Sequence, residues 1–388
     1  MTLKKLYIYP ILVFVVVTTA CITPFSPKGI EAEEDALVIE GDIIIYGETK
    51  VYLSLLRTLD SDYDVIYVTH AHVWIENQQG DVYTGYVAEE TNDSPHFVID
   101  TRTLSLDAQY KLCVHLWDGR QYESDFLTPL ATPDIHAIGF TVHDTRTAVD
   151  FHVTTYGDDH NSRFYKWNYT EDWEIISPHY SGIYFDPVLE VFRRYPGESP
   201  VYYCWKRAES TAVIARTDHL EENTVYQYKL HTMTNRDDRI SYLYFIELHQ
   251  MSISKEAHVY WSVLKRNSDE IGGIFAPQPS ELRGNIRCIS HPDDRVFGYI
   301  SAGTRSVEKI FVTAQDIGIY RHYSCQPLDV SQLAQSEPPE IISDLEIYHM
   351  GYRPVGDIGD FEWLIQECVE CTTRGTKNKP SFWPNDHI

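Results

Sequence analysis

The first residue with assignable chemistry is a thiol near the start of the chain. Lys4 and Lys5 precede an almost wholly apolar run, Leu6 to Val17, and Thr18, Thr19 and Ala20 then lead into Cys21. A short positive stretch, an apolar stretch and small residues follow the order of a secretory signal. The apolar run is shorter than the roughly 20 residues a membrane helix needs. Small residues ending in cysteine read as a bacterial lipobox, although Thr18 stands where leucine is usual. On that reading residues 1–20 are removed and Cys21 becomes the lipidated N-terminus. An ordinary secretory peptide, or an uncleaved anchor with an incidental cysteine, is the competing reading.

Six further cysteines are Cys113, Cys204, Cys288, Cys325, Cys368 and Cys371. Export permits disulfides, but six cysteines allow fifteen connectivities. Cys113, inside the apolar run Tyr110 to Trp117, reads as a buried free thiol. The expected pairs are Cys204 with Cys288, and Cys325 with either Cys368 or Cys371, which leaves one thiol over. The alternative is a thiolate zinc site on Cys368 and Cys371, but a second close pair of ligands is missing.

Other groups resolve into bland readings. Asp60, Asp62 and Asp64 alternate as in a calcium loop, yet the sixth position is Val65 and the twelfth Ala71, where glycine and glutamate belong. A hairpin loop is expected instead. Asp158, Asp159, His160 and Asn161, and the pair Asp293 and Asp294, read as turns. His70 and His72 share one strand face without a carboxylate motif, so a solvated face is expected, and His258 reads as a packed or surface imidazole. There is no Gly-x-Ser-x-Gly elbow and no His-Glu-x-x-His, and no metal or cofactor is expected. Tyr165, Trp167, Tyr169, Trp173, Tyr202, Tyr203 and Trp205 crowd into two segments. They form either a sandwich core or a stacking platform for sugar or peptide, with Trp167, Trp173 and Trp205 as candidate binding residues.

These groups need elements to hold them. The 388 residues include 28 Tyr, 15 Phe and 8 Trp, a composition that favours strands. Residues 21–35 read as a lipidated tether. About seven short strands then fall between 36 and 130, with alternation such as Ala71, Val73 and Ile75 against His72, Trp74 and Glu76. They indicate an immunoglobulin- or transthyretin-like β-sandwich. Pro129 and Pro133 mark a boundary. A larger antiparallel β domain, 134–315, carries one helix at 254–266, capped by Ser254, with Ala257, Tyr260, Trp261 and Leu264 as its apolar stripe. Residues 316–388 form an irregular, cysteine-bearing tail packed on it. After loss of residues 1–20, 30 basic residues face 57 acidic ones, a formal charge of −27. Such a surface repels phosphate backbones and excludes nucleic acid as a partner.

Several phrases taken together carry a resemblance. Val38-Ile39-Glu40-Gly41, Tyr165-Lys166-Trp167, Cys204-Trp205, Gln250-Met251-Ser252-Ile253-Ser254, Gly284-Asn285-Ile286 with Cys288, and Gly298-Tyr299 resemble the Bacteroidota lipoprotein family called domain of unknown function 4249. The start Cys21-Ile22-Thr23-Pro24-Phe25 and the tail, Glu367 to Cys371 followed by Lys379 to Pro384, are similar to that family's ends. The resemblance implies an outer-membrane lipoprotein, often encoded beside a TonB-dependent receptor, and it implies no catalytic residue. The expected function is therefore binding, as an accessory subunit of such a transporter with its ligand unknown. An extracytoplasmic glycan or peptide hydrolase and a structural part in envelope assembly are the alternatives.

Overall fold

The computed structural model describes residues 36–56, 65–88, 94–270, 283–321, 323–329 and 342–384. Cys21, the leader and tether, and Asp60, Asp62 and Asp64 lie outside them. The protein is mainly β, and among the described residues no helix is long and apolar enough to cross a membrane.

Alternation builds the first unit. Leu37 and Ile39, Val51 and Leu53, Val73 and Ile75, and Leu112 and Val114 are all at most 3 % exposed, so every second residue of four strands faces one core. One sheet runs Val296–Phe297, Leu37–Gly41, Gly47–Leu55, Phe97–Thr101, Tyr86–Val87. The other runs Ile286–Cys288, Gln121–Ser124, Tyr110–Leu116, Ala71–Asn77, Val82–Thr84. The two strands at the edges come from far along the sequence. Residues 286–303 therefore leave the second unit, where sequence spacing puts them, and complete the first. Local periodicity cannot announce such a return, because only pairing across some 170 to 260 residues reveals it.

The second unit packs a three-stranded sheet, Ile135–Val142, Ala148–Tyr156, Thr224–Thr234, against a five-stranded one. In the latter Phe164–Ile176 lies between Tyr203–Glu209 and Leu243–Ser252, with Val213–Arg216 also on it and Arg305–Thr313 beyond. The helix spans Lys255–Glu270, longer than 254–266. Ser254 Oγ accepts the Ala257 N–H at 3.0 Å, the cap its side chain suits. Ala257 and Tyr260 are buried and Trp261 packs partly, while Leu264 is exposed.

The tail is more ordered than an irregular segment. It holds the capped helix Asp344–His349 and the ribbon Tyr352–Asp357 with Asp360–Ile365. Two disulfides fasten it, Cys204–Cys371 and Cys325–Cys368. The expected Cys204–Cys288 staple is not formed. Cys204 lies in the second sandwich beside the tail, whereas Cys288 is buried in the first, across from Tyr122. Cys113 and Cys288 are free and buried. They cannot join each other, because Cys113 pairs with Glu123 in register while Cys288 pairs with Tyr122, which puts the thiols on opposite sheet faces.

Candidate functional site: a charge-balanced cleft between the two units

The strand Phe164–Ile176 presents two chemistries. Tyr165, Trp167, Tyr169, Trp173 and Ile175 face the second core, while Lys166, Asn168, Thr170, Asp172 and Glu174 point the other way. Register places Asn168 opposite His249, Thr170 opposite both Glu247 and Glu209, and Asp172 opposite Arg207. The polar face thus becomes a floor of acids, bases and amides. Phe382 and Trp383 of the tail pack at one end, on Phe245 and Phe311. Trp261 of the helix covers the other, its ring 4.8 Å from Lys166 Nζ.

The opposite wall comes from the first unit. Glu40, Asp42, Lys50, Tyr52 and Tyr67 face the floor across a cleft of about 630 Å³. Its charged lining is four carboxylates, Glu40, Asp42, Glu209 and Glu247, and four strong cations, Lys50, Lys166, Arg207 and Arg305, with His249 among them. On a chain with formal charge −25, a balanced cleft is a local exception.

The electrostatics follow from which pairs close. Lys166 and Asp42 form an ion pair joining the two units, with side chains only 6 % and 15 % exposed. Asp42 also accepts the Ser301 N–H at 3.3 Å, tying the returning segment to the same point. Desolvation raises the Glu40 carboxyl pKa, offset in part by Lys166. Desolvation lowers the pKa of His249, aided by Arg305. His249 is therefore a neutral imidazole at pH 7, hydrogen-bonded to Glu247 at 2.9 Å. Desolvation would raise Glu247, but the Lys309 ammonium at 2.8 Å and His249 hold it below its usual value. Asp172, beneath the floor, is raised by burial against the pull of Arg207, and one of its oxygens has no hydrogen-bond partner.

The candidate aromatic platform is corrected. Trp167 and Trp173 are 0 % and 6 % exposed, and Trp167 Nε1 donates to Gln250 Oε1 at 2.8 Å inside the core. Trp205 faces away from both. Its strand neighbour is Glu174, and it packs with Trp383 and beneath Lys379. His70 and His72 are exposed, with His72 stacked on Trp74. The Asp158 carboxylate accepts the N–H groups of His160 and Asn161, a turn. His258 borders a second, open hollow of about 570 Å³ with Arg216 and Lys265. Sequence reasoning missed the cleft residues. The signal was Lys166, a charge between Tyr165 and Trp167 in a strand otherwise suited to a core, with the acidic pair Glu40 and Asp42 flanking Gly41.

Among curated proteins, none matches the chain. Among solved structures, the crystal structure of pullulanase complexed with maltotriose from Anoxybacillus sp. LM18-11 matches at 10 % identity, over 54 % of this chain and 24 % of that one. Its TM-score of 0.16 carries no argument, and this chain spans about a quarter of that protein. A family model, Domain of unknown function (DUF4249), matches residues 22–309. The match takes in the first β unit, the second as far as residue 309, and every quoted phrase except Cys21 itself and the tail. The chain belongs to the DUF4249 family.

Proposed function

We propose that this chain is an outer-membrane lipoprotein, anchored through Cys21, that binds a polar ligand in the cleft between its units and serves as a non-enzymatic accessory subunit of a TonB-dependent transporter. The observation that carries the binding part is the balanced cleft. Four cations and four carboxylates intermixed on both walls suit a zwitterionic, hydroxyl-bearing molecule such as a short peptide better than a simple anion, which the acidic surroundings repel. The anchor and partner rest on the signal-like order of residues 1–21 and on the family resemblance.

Affinity purification of the tagged protein from gently solubilised outer membrane tests the partner. Recovery with a transporter is the expected result, and recovery only as a free monomer would sink it. Arg305→Glu in the cleft should weaken capture of short peptides at least tenfold and leave transporter recovery unchanged, which separates ligand from partner.

A hydrolase acting on glycan or peptide is the second reading. It is favoured by Glu40, a cleft-lining carboxyl whose pKa burial raises, as suits a general acid. Turnover of a glycan or peptide panel that disappears in Glu40→Gln would replace the binding reading.

A further inference from the structure

We propose that Cys288, His291 and Asp294 form a binding site for a divalent transition-metal ion of the zinc type. The thiol, one imidazole nitrogen and one carboxylate oxygen all lie within 4.8 Å of one another. A zinc ion at about 2.0–2.3 Å from each donor needs them roughly 3.5 Å apart. Closing that difference asks only for rotation of His291 and Asp294, both exposed, toward the buried and fixed Cys288.

The backbone already prepares this approach. Residues 289–295 form the short loop between Ile286–Cys288 in one sheet and Val296–Phe297 in the other, and the Asp294 N–H donates to the His291 carbonyl at 3.0 Å. Ser290 stands between two of the donors, its hydroxyl 3.5 Å from Cys288 Sγ and 3.1 Å from His291 Nδ1. The same hydroxyl accepts the Gln121 N–H at 3.0 Å, so its position is set by the neighbouring strand. Hydroxyls placed this way orient metal ligands.

An independent observation points to a ligand at this place. Tyr122 is 1 % exposed and its hydroxyl has no hydrogen-bond partner. It is the register partner of Cys288, so the two side chains share a sheet face, and its phenol lies within electrostatic reach of both Cys288 and Asp294. A buried hydroxyl without a partner is costly. A metal-bound water or a coordinated carboxylate beside it would satisfy it. Arg120, within electrostatic reach of Asp294, is paired with Asp118 at 2.8 Å. Thiolate, imidazole and carboxylate together select zinc-like ions over calcium or magnesium, and three protein ligands leave a fourth position for water or a ligand. On binding, the thiol proton leaves to solvent and the sulfur–metal bond replaces it.

Titration of the chelator-treated protein, its two disulfides left intact, with cobalt(II) alone, then zinc, tests the site. One cobalt should bind with a thiolate-to-metal charge-transfer band and tetrahedral visible bands, and zinc should displace it. Cys113→Ser should keep the band and Cys288→Ser should lose it. His291→Ala and Asp294→Asn change exposed side chains, leave the fold intact, and should each weaken binding at least tenfold. Absence of the charge-transfer band, its persistence in Cys288→Ser, or wild-type affinity in both exposed variants would overturn the proposal. None of these readouts depends on the cleft.

Discussion

His231 lies in a polar cluster inside the second sandwich. Glu171 accepts hydrogen bonds from Arg239 at 2.7 Å and from Tyr244 at 2.6 Å, so little of its charge is left for His231 at 3.5 Å. Burial, aided by Arg239, pushes the His231 pKa down to about 3. Between that value and the ordinary 6.5 the unfolded chain binds a proton that the folded one refuses. Stability contributed by neutral His231 is therefore complete above pH 6.5 and is lost as pH falls toward 3, at up to about 1.4 kcal/mol per pH unit. Urea unfolding at pH 7 and pH 5 should show His231→Gln losing less stability than wild type over that interval. The Lys166–Asp42 pair gives a second test. Asp42→Asn leaves a nearly buried ammonium without its counter-ion and should cost about 3 kcal/mol. Combined with Lys166→Met, much of that loss should return, as denaturant midpoints would record. The charges of these residues could be read along the chain, but their partners could not, because Lys166 and Asp42 are 124 residues apart.

The decisive element is the returning segment 283–303. Gly298 has φ +135°, and a Cβ there would stand 2.0 Å from the Ile39 carbonyl oxygen. A Cβ on Gly284 would stand 1.8 Å from the Gly298 carbonyl oxygen. Backbone thus lies directly on backbone, and Gly284→Ala should destabilise the first unit by at least about 2 kcal/mol. Amide exchange would check this. Ile43 and Ile45, which donate to Ser301 and Gly303, should lose protection while Phe151 in the second unit keeps it. The tail is held by the Cys204–Cys371 bridge across 167 residues. Replacing both cysteines by serine should lower stability by about 2–5 kcal/mol, measured by thermal unfolding against wild type. The strands and helix were legible because their periods are local. The segments Arg283 to Ser290 and Val296 to Ala302 also read as strands, but the returning edge strands they hold, three and two residues long, carry no local sign of which sheet they join.

At the scale of the molecule, two sandwiches meet at a cleft, with one cysteine-stapled tail on the second. If Cys21 carries the lipid, Cys21→Ser should abolish lipid labelling and release the protein from membrane fractions; unchanged labelling and retention would refute the assignment. The sequence by itself determined the mainly β class, the helix and its Ser254 cap, and the family, since these rest on residue types at short, regular spacing. Tertiary structure alone decided which cysteines pair, which face of Phe164–Ile176 is core and which is floor, and where 283–303 belongs. It also brought Glu40 and Asp42 to face Lys166, Glu247 and Arg305, and freed Cys288 to stand beside Tyr122. The physical reason is common to all of these. A strand's alternation says that two faces differ, but what each face meets is set by contacts between residues more than a hundred positions apart, and no local spacing encodes them.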